Sequence, residues 1–559
     1  MQKKQTILVV ASLLVVVLSV TLAYFTAQII GKGKYVSVTS ANLQIIFTDT
    51  DGSISGADIE PGWSDSKTFT VTNKNNKTYK YDIIIKDLIN TFATEGYLQY
   101  KITSDNGGYS TDGYVDVPKS STVTDTILAY STSIDVGVTQ TYTIEFVYKN
   151  DEDVDQSEDM GKTLSGKLFI TEGTIDPAMY AGYEKGTLGY QVLGNNTTRE
   201  VRTDFNGKFT KTNTETLFTS TESIAGSTPV DVYYFAGNVT NNWVKFGKYK
   251  TDYIKYRGYY SATEPSFVDY DTMDECTSAT RWNYNCTEYK LANAGDDMYW
   301  RIIRTNHDKS IRLLYFGTSL SSVYGHIGTS AFNISYDSPK YVGYKYGEDT
   351  SLNTIRNNTT DSTIKTFIDS WYQNNLTDYT KYLSEDAVYC NDRELASGQT
   401  YSTKNDFNFA SYERIYTNKQ PSYNCTNISD AFSVNNTSAK LNYPVALMTA
   451  GEMIYAGGKY EDIFDDCDYS WYNANSNGKS VTGSTQWWSM SPEFYKSSYP
   501  FVVNVLGAPF EDGSYATRIG INLSLATRPV TSLKSCVKYS SGDGTASNPY
   551  TILETETGC

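Results

Sequence analysis

Apolar and polar residues alternate along the first part of the chain with a period of two. The clearest case is the segment 141–148, with the sequence TYTIEFVY. Because successive side chains of a strand point to opposite faces, this pattern predicts a strand with one strongly apolar face. Shorter strand-like runs occur at 43–47, 68–72, 79–85, 97–102 and 167–171. Turns rich in Gly, Asn, Asp and Pro separate these runs, so residues 34–175 predict an N-terminal β-sandwich (jelly roll).

The second part of the chain mixes strand and helix patterns. Segments 299–304 and 310–315 predict a hairpin with its turn at 306–309. A helix is predicted after Asp361, because the apolar residues at 364, 367, 368, 371 and 372 fall on one helical stripe. Asp361 or Ser362 can cap the start of this helix.

A second helix is predicted to begin at Thr449, where Thr449 and Glu452 match a capping box, and to end near Gly457. Residues 231–559 therefore predict a larger α+β module. Residues 176–230 are rich in Thr, Asn and Gly and predict a linker or a small β-unit. The chain as a whole is expected to be mainly β and multi-domain.

Residues 1–33 predict a signal peptide or a membrane anchor. Lys3 and Lys4 precede an apolar run at 7–25, which is the order of an export signal. Small residues allow cleavage between Ala23 and Tyr24. An uncleaved anchor is the alternative, because the run approaches the roughly 20 residues of a spanning helix. In both cases the bulk of the chain is expected outside the membrane.

The composition and net charge of the chain argue against some classes of binding partner. The chain has 559 residues, 49 of them Tyr, and a formal net charge of −16. Aromatic and β-branched residues suit sheets. Phosphate binding needs a dense basic face, so the charge argues against nucleic acid and against anionic lipid. Membrane contact is therefore expected only through the N-terminal segment.

All seven cysteines lie after residue 275, and no CxxC pair occurs. A zinc ribbon or a thioredoxin-like site is therefore not expected. In an exported chain the spacing favours local disulfides. The predicted pairs are Cys276–Cys286, Cys390–Cys425 and Cys536–Cys559, with Cys467 left over.

Four motifs give the first part a resemblance to a known family. They are the sequences AYFT at 23–26, TSANL at 39–43, IEPG at 59–62 and FTVTN at 69–73. In this order they resemble the TasA/camelysin family of exported proteins, which have a dedicated signal peptidase. The resemblance covers about residues 1–175 and implies a jelly-roll domain used in extracellular fibres or matrix. Some family members are classed as metallopeptidases, but residues 1–300 contain no His to support that activity.

The second part resembles uncharacterised modules in surface proteins of Gram-positive gut bacteria. The matching segments are NWVKFG at 242–247, YWRIIR at 299–304, QWWSMSP at 486–492 and RPV at 528–530. The resemblance implies a fold like that of C-type lectins or the formylglycine-generating enzyme. Fold-level analogy does not give function.

Two groups of aromatic residues are candidates for ligand binding. Trp471 and Tyr472 follow an acidic stretch at 461–468, and Trp487 and Trp488 are adjacent. Aromatic faces offer flat apolar area, and carboxylates accept hydrogen bonds from hydroxyls. Because neighbours on a strand point to opposite faces, one of Trp487 and Trp488 is expected in the core, and the other is a candidate to line a ligand groove. For the acidic stretch, an ordinary surface loop is the favoured interpretation.

One segment is a candidate calcium site. Asp49, Asp51, Ser53 and Glu60 imitate part of an EF-hand loop. Ile54 stands where that loop requires Gly, so a hairpin turn is the favoured interpretation. No other cofactor is expected.

The chain has two histidines, His307 and His326, and both are predicted to lie in loops. Neither belongs to a recognisable catalytic motif. Four arginines of the second part are expected to pair with acids inside it: Arg301, Arg304, Arg312 and Arg528.

The sequence therefore predicts a protein that is secreted or held on the outer face of the cell membrane. Its expected role is adhesion or fibre and biofilm assembly without catalysis. Self-assembly and contact with a host glycan or protein are the expected partnerships. One alternative is a glycan- or protein-binding module that does not assemble. A camelysin-like metallopeptidase is the other alternative, and it is disfavoured.

Overall fold

The computed structural model describes residues 59–559, apart from 75, 77, 95, 160–161, 174–179, 263–266, 461–469, 484, 498–501 and 509–514. It also describes the backbone of four strands between residues 27 and 55. The chain divides into two compact units, residues 1–178 and 179–559, here called unit 1 and unit 2. Both units are built mainly of strands, so the prediction of a mainly β, multi-domain protein is confirmed. The predicted cleavage site at Ala23 and Tyr24 lies outside the described residues.

Unit 1 contains two sheets. Its strands are β1 (Ala27–Gln28), β2 (Tyr35–Ser40), β3 (Leu43–Asp49), β4 (Ile54–Ser55), β5 (Ser64–Asn73), β6 (Tyr79–Asn90), β7 (Leu98–Ser104), β8 (Val115–Asp116), β9 (Ser120–Ile134), β10 (Thr139–Tyr148) and β11 (Leu164–Glu172). One sheet has the order β1-β11-β6-β9, with β4 also paired to β11. The other has the order β2-β3-β5-β10-β7-β8.

Strand β10 shows how the period of two builds the core of unit 1. Tyr142, Ile144 and Phe146 are buried, whereas the residues between them are half-buried. The same core contains Ile83 and Leu168 from the other sheet, so the two sheets pack face to face. Burial of apolar area on these inner faces stabilises the sandwich.

Unit 2 carries the remaining strands, which are mostly short. They are β12 (Thr198–Glu200), β13 (Thr212–Asn213), β14 (Thr216–Glu222), β15 (Val230–Tyr234), β16 (Asn238–Val239), β17 (Trp243–Lys248), β18 (Tyr253–Tyr259), β19 (Phe267–Tyr270), β20 (Thr287–Ala292), β21 (Asp297–Thr305), β22 (Ile311–Tyr315), β23 (Thr329–Ser330), β24 (Lys345–Tyr346), β25 (Thr360–Asp361), β26 (Tyr389–Cys390), β27 (Phe407–Asn408), β28 (Ala431–Phe432), β29 (Val445–Ala446), β30 (Lys459–Tyr460), β31 (Trp487–Lys496), β32 (Val502–Ala508), β33 (Tyr515–Gly520), β34 (Leu525–Ala526), β35 (Val530–Leu533), β36 (Tyr539–Ser541) and β37 (Tyr550–Ile552).

The helices of unit 2 are short as well. They are α1 (Leu188–Asn195), α2 (Met273–Ser278), α3 (Leu352–Ile355), α4 (Thr363–Asn375), α5 (Ala410–Tyr412) and α6 (Ala450–Tyr455). Single turns of 3-10 helix occur in unit 1 at Ser157–Asp159 and in unit 2 at Pro339–Val342, Thr377–Tyr382, Ile428–Asp430 and Thr437–Ala439, and a π-turn occurs at Glu413–Thr417. No helix in the described part of the chain is long and apolar enough to cross a membrane.

Three sheets organise unit 2. The largest has ten strands and includes β14, β15, β21, β17 and β37, with β22 linking β21 to β35. A seven-stranded sheet is centred on β34, β31 and β32, and a three-stranded sheet has the order β19-β18-β20. The hairpin predicted at 299–315 is confirmed as the antiparallel pair β21 and β22.

The two predicted helices of unit 2 are confirmed together with their caps. Ser362 caps α4 by accepting a hydrogen bond from the Lys365 backbone N–H. Thr449 and Glu452 form the expected capping box at the start of α6. Each of these capping motifs lies within four consecutive residues. The local sequence was therefore sufficient to predict where both helices begin.

The interpretation of residues 176–230 as a linker or a small separate unit is wrong for the described part of this segment. Strands β12 and β14 pair within the ten-stranded sheet, and Leu188, Val192 and Leu193 of α1 lie in the main core of unit 2. The Thr- and Asn-rich composition is typical of a linker. It does not reveal that each short element packs against residues that are distant in the sequence.

Three disulfides form in unit 2, and they join the pairs expected from the sequence spacing. They link Cys276 to Cys286, Cys390 to Cys425 and Cys536 to Cys559. Cys467 lies outside the described residues. Disulfides persist in oxidising compartments, so these bonds indicate an oxidising, extracellular type of environment.

Candidate functional site

Unit 2 gathers charged and aromatic side chains in two places, one open and one closed. The open one, here called the cleft, has a cavity volume of about 1430 Å³. Strands β18 and β19 and helix α2 form one wall of the cleft. Residues 329–335, helix α4 and residues 522–524 form the other. A typical site for a small molecule measures roughly 300–1,000 Å³, so the cleft has room for an extended ligand.

The first wall is fixed by a charged pair behind its surface. Arg257 of β18 donates to both carboxylate oxygens of Asp269 on β19, at 2.8 and 3.1 Å. The guanidinium lies between the rings of Phe267 and Tyr289, at 3.5 and 3.9 Å from their centroids. This bidentate geometry and stacking hold the two strands in register.

Lys255 and Asp271 present a carboxylate to the cleft. The Lys255 side chain is only 6% exposed, and its ammonium lies 4.7 Å from the centroid of Phe367. It donates to Oδ1 of Asp271, whose side chain is 73% exposed. Oδ2 of Asp271 is bonded to no residue that the structure describes. The buried ammonium of Lys255 therefore holds the Asp271 carboxylate in place and leaves its Oδ2 to accept a hydrogen bond from a ligand in the cleft.

The second wall contains polar atoms without partners. Asn333 is 3% exposed, and its Oδ1 accepts a bond from Thr363 Oγ1 at 3.4 Å. Its Nδ2 finds no acceptor among the described residues, and neither does the hydroxyl of Ser524 nearby. Both residues line the cleft, but these two atoms are buried beneath its surface.

Apolar and aromatic side chains lie at the rim of the cleft. Trp282 lies 5.7 Å from the ring of Tyr260, which is 44% exposed. On the opposite wall Ile334 is 71% exposed and Leu523 is 49% exposed. The cleft thus combines flat apolar surface at its edge with hydrogen-bonding groups inside.

The closed place is a cluster of four buried charges, here called the ion network: Glu222, Arg304, Arg312 and Glu452. Arg304 bonds Glu222 at 2.8 Å and Glu452 at 2.9 Å, and Arg312 bonds Glu452 at 2.6 Å. All four side chains are at most 3% exposed. The cavity beside them measures about 30 Å³, which is roughly the share of one water molecule.

Burial alone would raise the pKa values of Glu222 and Glu452. The guanidinium of Arg304 outweighs burial at Glu222 and holds the pKa of that carboxyl well below its usual range. Arg312 and Arg304 likewise lower the pKa of Glu452. His307 adds a backbone N–H bond of 2.6 Å to Glu222. The two acids pair with the two arginines in the core, while Nε of Arg312 has no partner among the described residues. Pairing of opposite charges at this depth makes the ion network structural.

The four aromatic residues predicted to bind a ligand do not face solvent. Trp471 is 3% exposed and Tyr472, Trp487 and Trp488 are fully buried. Strand β31 is buried on both faces, so the alternation that separates Trp487 from Trp488 places both in the core. Their indole N–H groups donate to Asn473 at 2.9 Å and to the Ser330 carbonyl at 2.7 Å. The prediction of a ligand groove at these residues is therefore wrong.

The arginines divide into two classes. Arg304 and Arg312 pair with acids as expected. Arg301 and Arg528 instead donate to backbone carbonyls, such as those of Val239 and Gly325, and both stack on Phe316. Burial lowers the pKa values of Arg301 and Arg528 well below their usual range.

The two histidines also differ from each other. His307 lies in the turn between β21 and β22, as predicted, with its Nδ1 3.3 Å from Glu222. His326 also lies in a loop, as predicted, but it is buried, and burial together with Arg257 and Arg528 lowers its pKa to about 3. Neither histidine is among the described residues that line the cleft.

The candidate calcium site stays a prediction. Asp51 and Ser53 lie outside the described residues, and Asp49 is placed only as the last residue of β3. Glu60 is exposed in a turn closed by a bond from the Trp63 N–H to its carbonyl. Within the described ranges, no group of three or more His, Cys, Asp or Glu side chains is arranged to hold a metal.

Sequence reasoning missed the cleft. Its walls come from four separate stretches of chain, so no local motif contains it. One signal was present: Arg281, Trp282 and Tyr284 lie between Cys276 and Cys286, which the spacing had already paired. Binding residues are often carried by loops held on a rigid scaffold, and this disulfide-closed loop carries a half-buried Trp282 and an exposed Tyr284.

Comparisons with known proteins add little. No protein-family model and no curated protein matches the chain. Solved structures with partial similarity include a ruminal GH26 endo-β-1,4-mannanase, with 15% identity and a TM-score of 0.16. The match covers 32% of this chain and 35% of the mannanase, about a third of each.

Two further structures are similar over about half of this chain. An allantoicase has 10% identity over 50% of this chain and 87% of its own, with a TM-score of 0.13. The CupB6 tip adhesin from Pseudomonas aeruginosa has 9% identity over 52% of this chain and 92% of its own, with a TM-score of 0.11. These scores are too low to support a shared fold or function.

Proposed function

We propose that this is an exported surface protein whose unit 2 binds a neutral carbohydrate chain in the cleft. The observation that carries the proposal is the open cavity of about 1430 Å³, which is lined by the half-buried ring of Trp282 and by the exposed carboxylate of Asp271. Binding at a surface is one way in which such a protein serves adhesion.

The chemistry of the lining favours hydroxyl groups as ligands. The exposed carboxylate of Asp271 accepts hydrogen bonds, and a sugar hydroxyl donates them. Flat aromatic and aliphatic surface such as that of Trp282 and Leu523 suits the apolar face of a sugar ring.

The charge of the lining favours a neutral ligand. Of the four lining carboxylates, Asp269 pairs with Arg257 and Asp361 pairs with Lys345 and Lys365. The other two, Asp271 and Glu275, are matched in number by the lining groups Lys255 and Arg281. The cleft therefore offers no surplus of positive charge to an acidic ligand. A neutral oligosaccharide is therefore expected to bind more tightly than an acidic one of the same length.

The test is a calorimetric titration of the full-length protein, kept in a polyoxyethylene detergent, with neutral and acidic oligosaccharides. The probes are the β-1,4-linked hexaoses of glucose and of mannose and the α-1,4-linked hexamer of galacturonic acid. We expect at least one neutral hexaose to bind and the galacturonate hexamer to bind at least tenfold more weakly. No binding of either neutral hexaose would count against the proposal.

Asp271→Asn tests the role of the oriented carboxylate. A hydrogen bond to a charged group contributes about 1.5–3 kcal/mol, so we expect the Kd for the bound hexaose to rise about tenfold or more. The matched control is Asp252→Asn, because Asp252 also pairs with a lysine, Lys290 at 2.7 Å, but lies outside the cleft. Equal affinities for the two variants would remove Asp271 from the site.

A second role, assembly with other copies, has one supporting observation. Strand β2 pairs only with β3 among the described strands, so it forms an edge of its sheet. An extended segment of another copy can add to such an edge. The test is sedimentation velocity of the protein with and without residues 24–38. Assemblies that disappear on trimming support this role, and a strictly monomeric full-length protein contradicts it.

A further inference from the structure

We propose that the loop closed by the Cys276–Cys286 disulfide is the specificity element of the cleft. In this proposal the bond holds Trp282 as a stacking platform for a sugar ring, so that tight binding requires the oxidised protein. The inference rests on the proposed carbohydrate binding and adds to it the residue that selects the ligand and the bond that positions that residue.

The first observation is the close fit of the loop on strand β18. Gly258 of β18 faces the loop, and a Cβ there would collide with the Trp282 carbonyl oxygen and lie 2.8 Å from Cys276 Sγ. The Tyr284 N–H donates to the Tyr259 carbonyl at 3.0 Å. The strand therefore carries a glycine where the disulfide and the Trp282 backbone approach it most closely.

The second observation is that Trp282 belongs both to the lining of the cleft and to an aromatic cluster. Its ring lies 5.7 Å from that of Tyr260. The guanidinium of Arg281 lies 5.0 Å from the Tyr260 ring and 5.8 Å from the Trp282 ring. An indole supported in this way loses little conformational freedom when a ligand stacks on it.

The third observation is that the same short element positions the carboxylate and the platform. Helix α2 begins at a capping box of Thr272 and Glu275, and Glu275 Oε2 also accepts a bond from the Asp271 N–H at 3.1 Å. Cys276 is the next residue of this helix and is fully buried. The disulfide thus joins the helix that follows Asp271 to the loop that carries Trp282.

The experiment compares hexaose binding by four variants of the full-length protein. Trp282→Ala and the double variant Cys276→Ser/Cys286→Ser are each expected to weaken binding of the neutral hexaose about tenfold. Trp282→Phe keeps a stacking face and is expected to stay within about threefold of wild type. Cys536→Ser/Cys559→Ser removes a disulfide outside the cleft lining and is expected to bind like wild type.

The outcomes separate the two proposals. If the wild type binds a hexaose and both Trp282→Ala and Cys276→Ser/Cys286→Ser bind it equally well, the specificity element is wrong and the proposed function stands. If the double variant unfolds, the Kd values of Trp282→Ala and Trp282→Phe for the hexaose are compared instead. Weaker binding by Trp282→Ala alone supports the ring as the platform, and equal binding contradicts it. If the oxidised wild type binds neither neutral hexaose, the proposed function and this inference both fail.

Discussion

The ion network and the cleft use the same kinds of side chain for opposite purposes. Both combine carboxylates, basic groups and aromatic rings within unit 2. In the ion network Glu222, Arg304 and Glu452 are at most 3% exposed and bond one another. In the cleft Asp271 is 73% exposed, and one of its two carboxylate oxygens is bonded to no described residue.

Solvent exposure, rather than residue type, separates the buried ion network from the cleft. A buried pair stabilises the fold only while both partners are present. An exposed, oriented group contributes little to stability, which leaves it available for a ligand. Mutations in the two places should therefore affect different measurements.

The largest effect is expected from Arg304→Met. This change leaves Glu222 without its main counter-charge and Glu452 with only Arg312, so it should lower the free energy of unfolding of unit 2 by about 3–5 kcal/mol. Urea unfolding measures the loss. Arg281→Met at the edge of the cleft is the control, with an expected change within about 0.5 kcal/mol. Equal losses in the two variants would contradict the comparison.

The next largest difference in unfolding free energy is expected between alanine variants of two tryptophans, one in the core and one in the cleft. Trp487→Ala removes a fully buried side chain and should cost about 3–5 kcal/mol of unfolding free energy. Trp282→Ala removes a half-buried ring and should cost far less stability while weakening hexaose binding. The contrast fails if Trp282→Ala unfolds as readily as Trp487→Ala.

A smaller effect is expected from acid. The folded pKa of Glu222 lies below its ordinary value of 4.5, so its charged form stabilises the fold. That contribution is fully present above pH 4.5 and is lost as the pH falls towards the folded pKa. Urea unfolding at pH 7, 5 and 3 should therefore show a steeper acid loss for wild type than for Glu222→Gln. Parallel profiles would show that Glu222 is not the titrating group.

Local features of this fold could be predicted from the sequence, whereas features made by distant segments could not. The strand at 141–148, the cap at Ser362 and the capping box at Thr449 each depend on neighbouring residues. The disulfide pairs also follow sequence proximity, with separations of 10, 35 and 23 residues.

The sites were harder to predict because they depend on how sheets are covered. Trp488 is buried against a distant segment: its ring lies 5.7 Å from that of Phe332, and its indole N–H donates to the Ser330 carbonyl. No pattern near Trp488 predicts these contacts. Asp271 and Asn333 share the cleft although 62 residues separate them in the sequence. No hydrophobic periodicity and no residue spacing in either segment predicts that these two residues line the same cleft.

We propose that the cleft, and not the ion network, is the binding site of unit 2. The decisive test is hydrogen–deuterium exchange of the full-length, oxidised protein with and without the neutral hexaose that binds it. We predict slower exchange at 253–259, 267–282, 329–335 and 363–374, with no change at 411–424 and 449–452. Protection at 411–424 and 449–452 without protection along the cleft would contradict it.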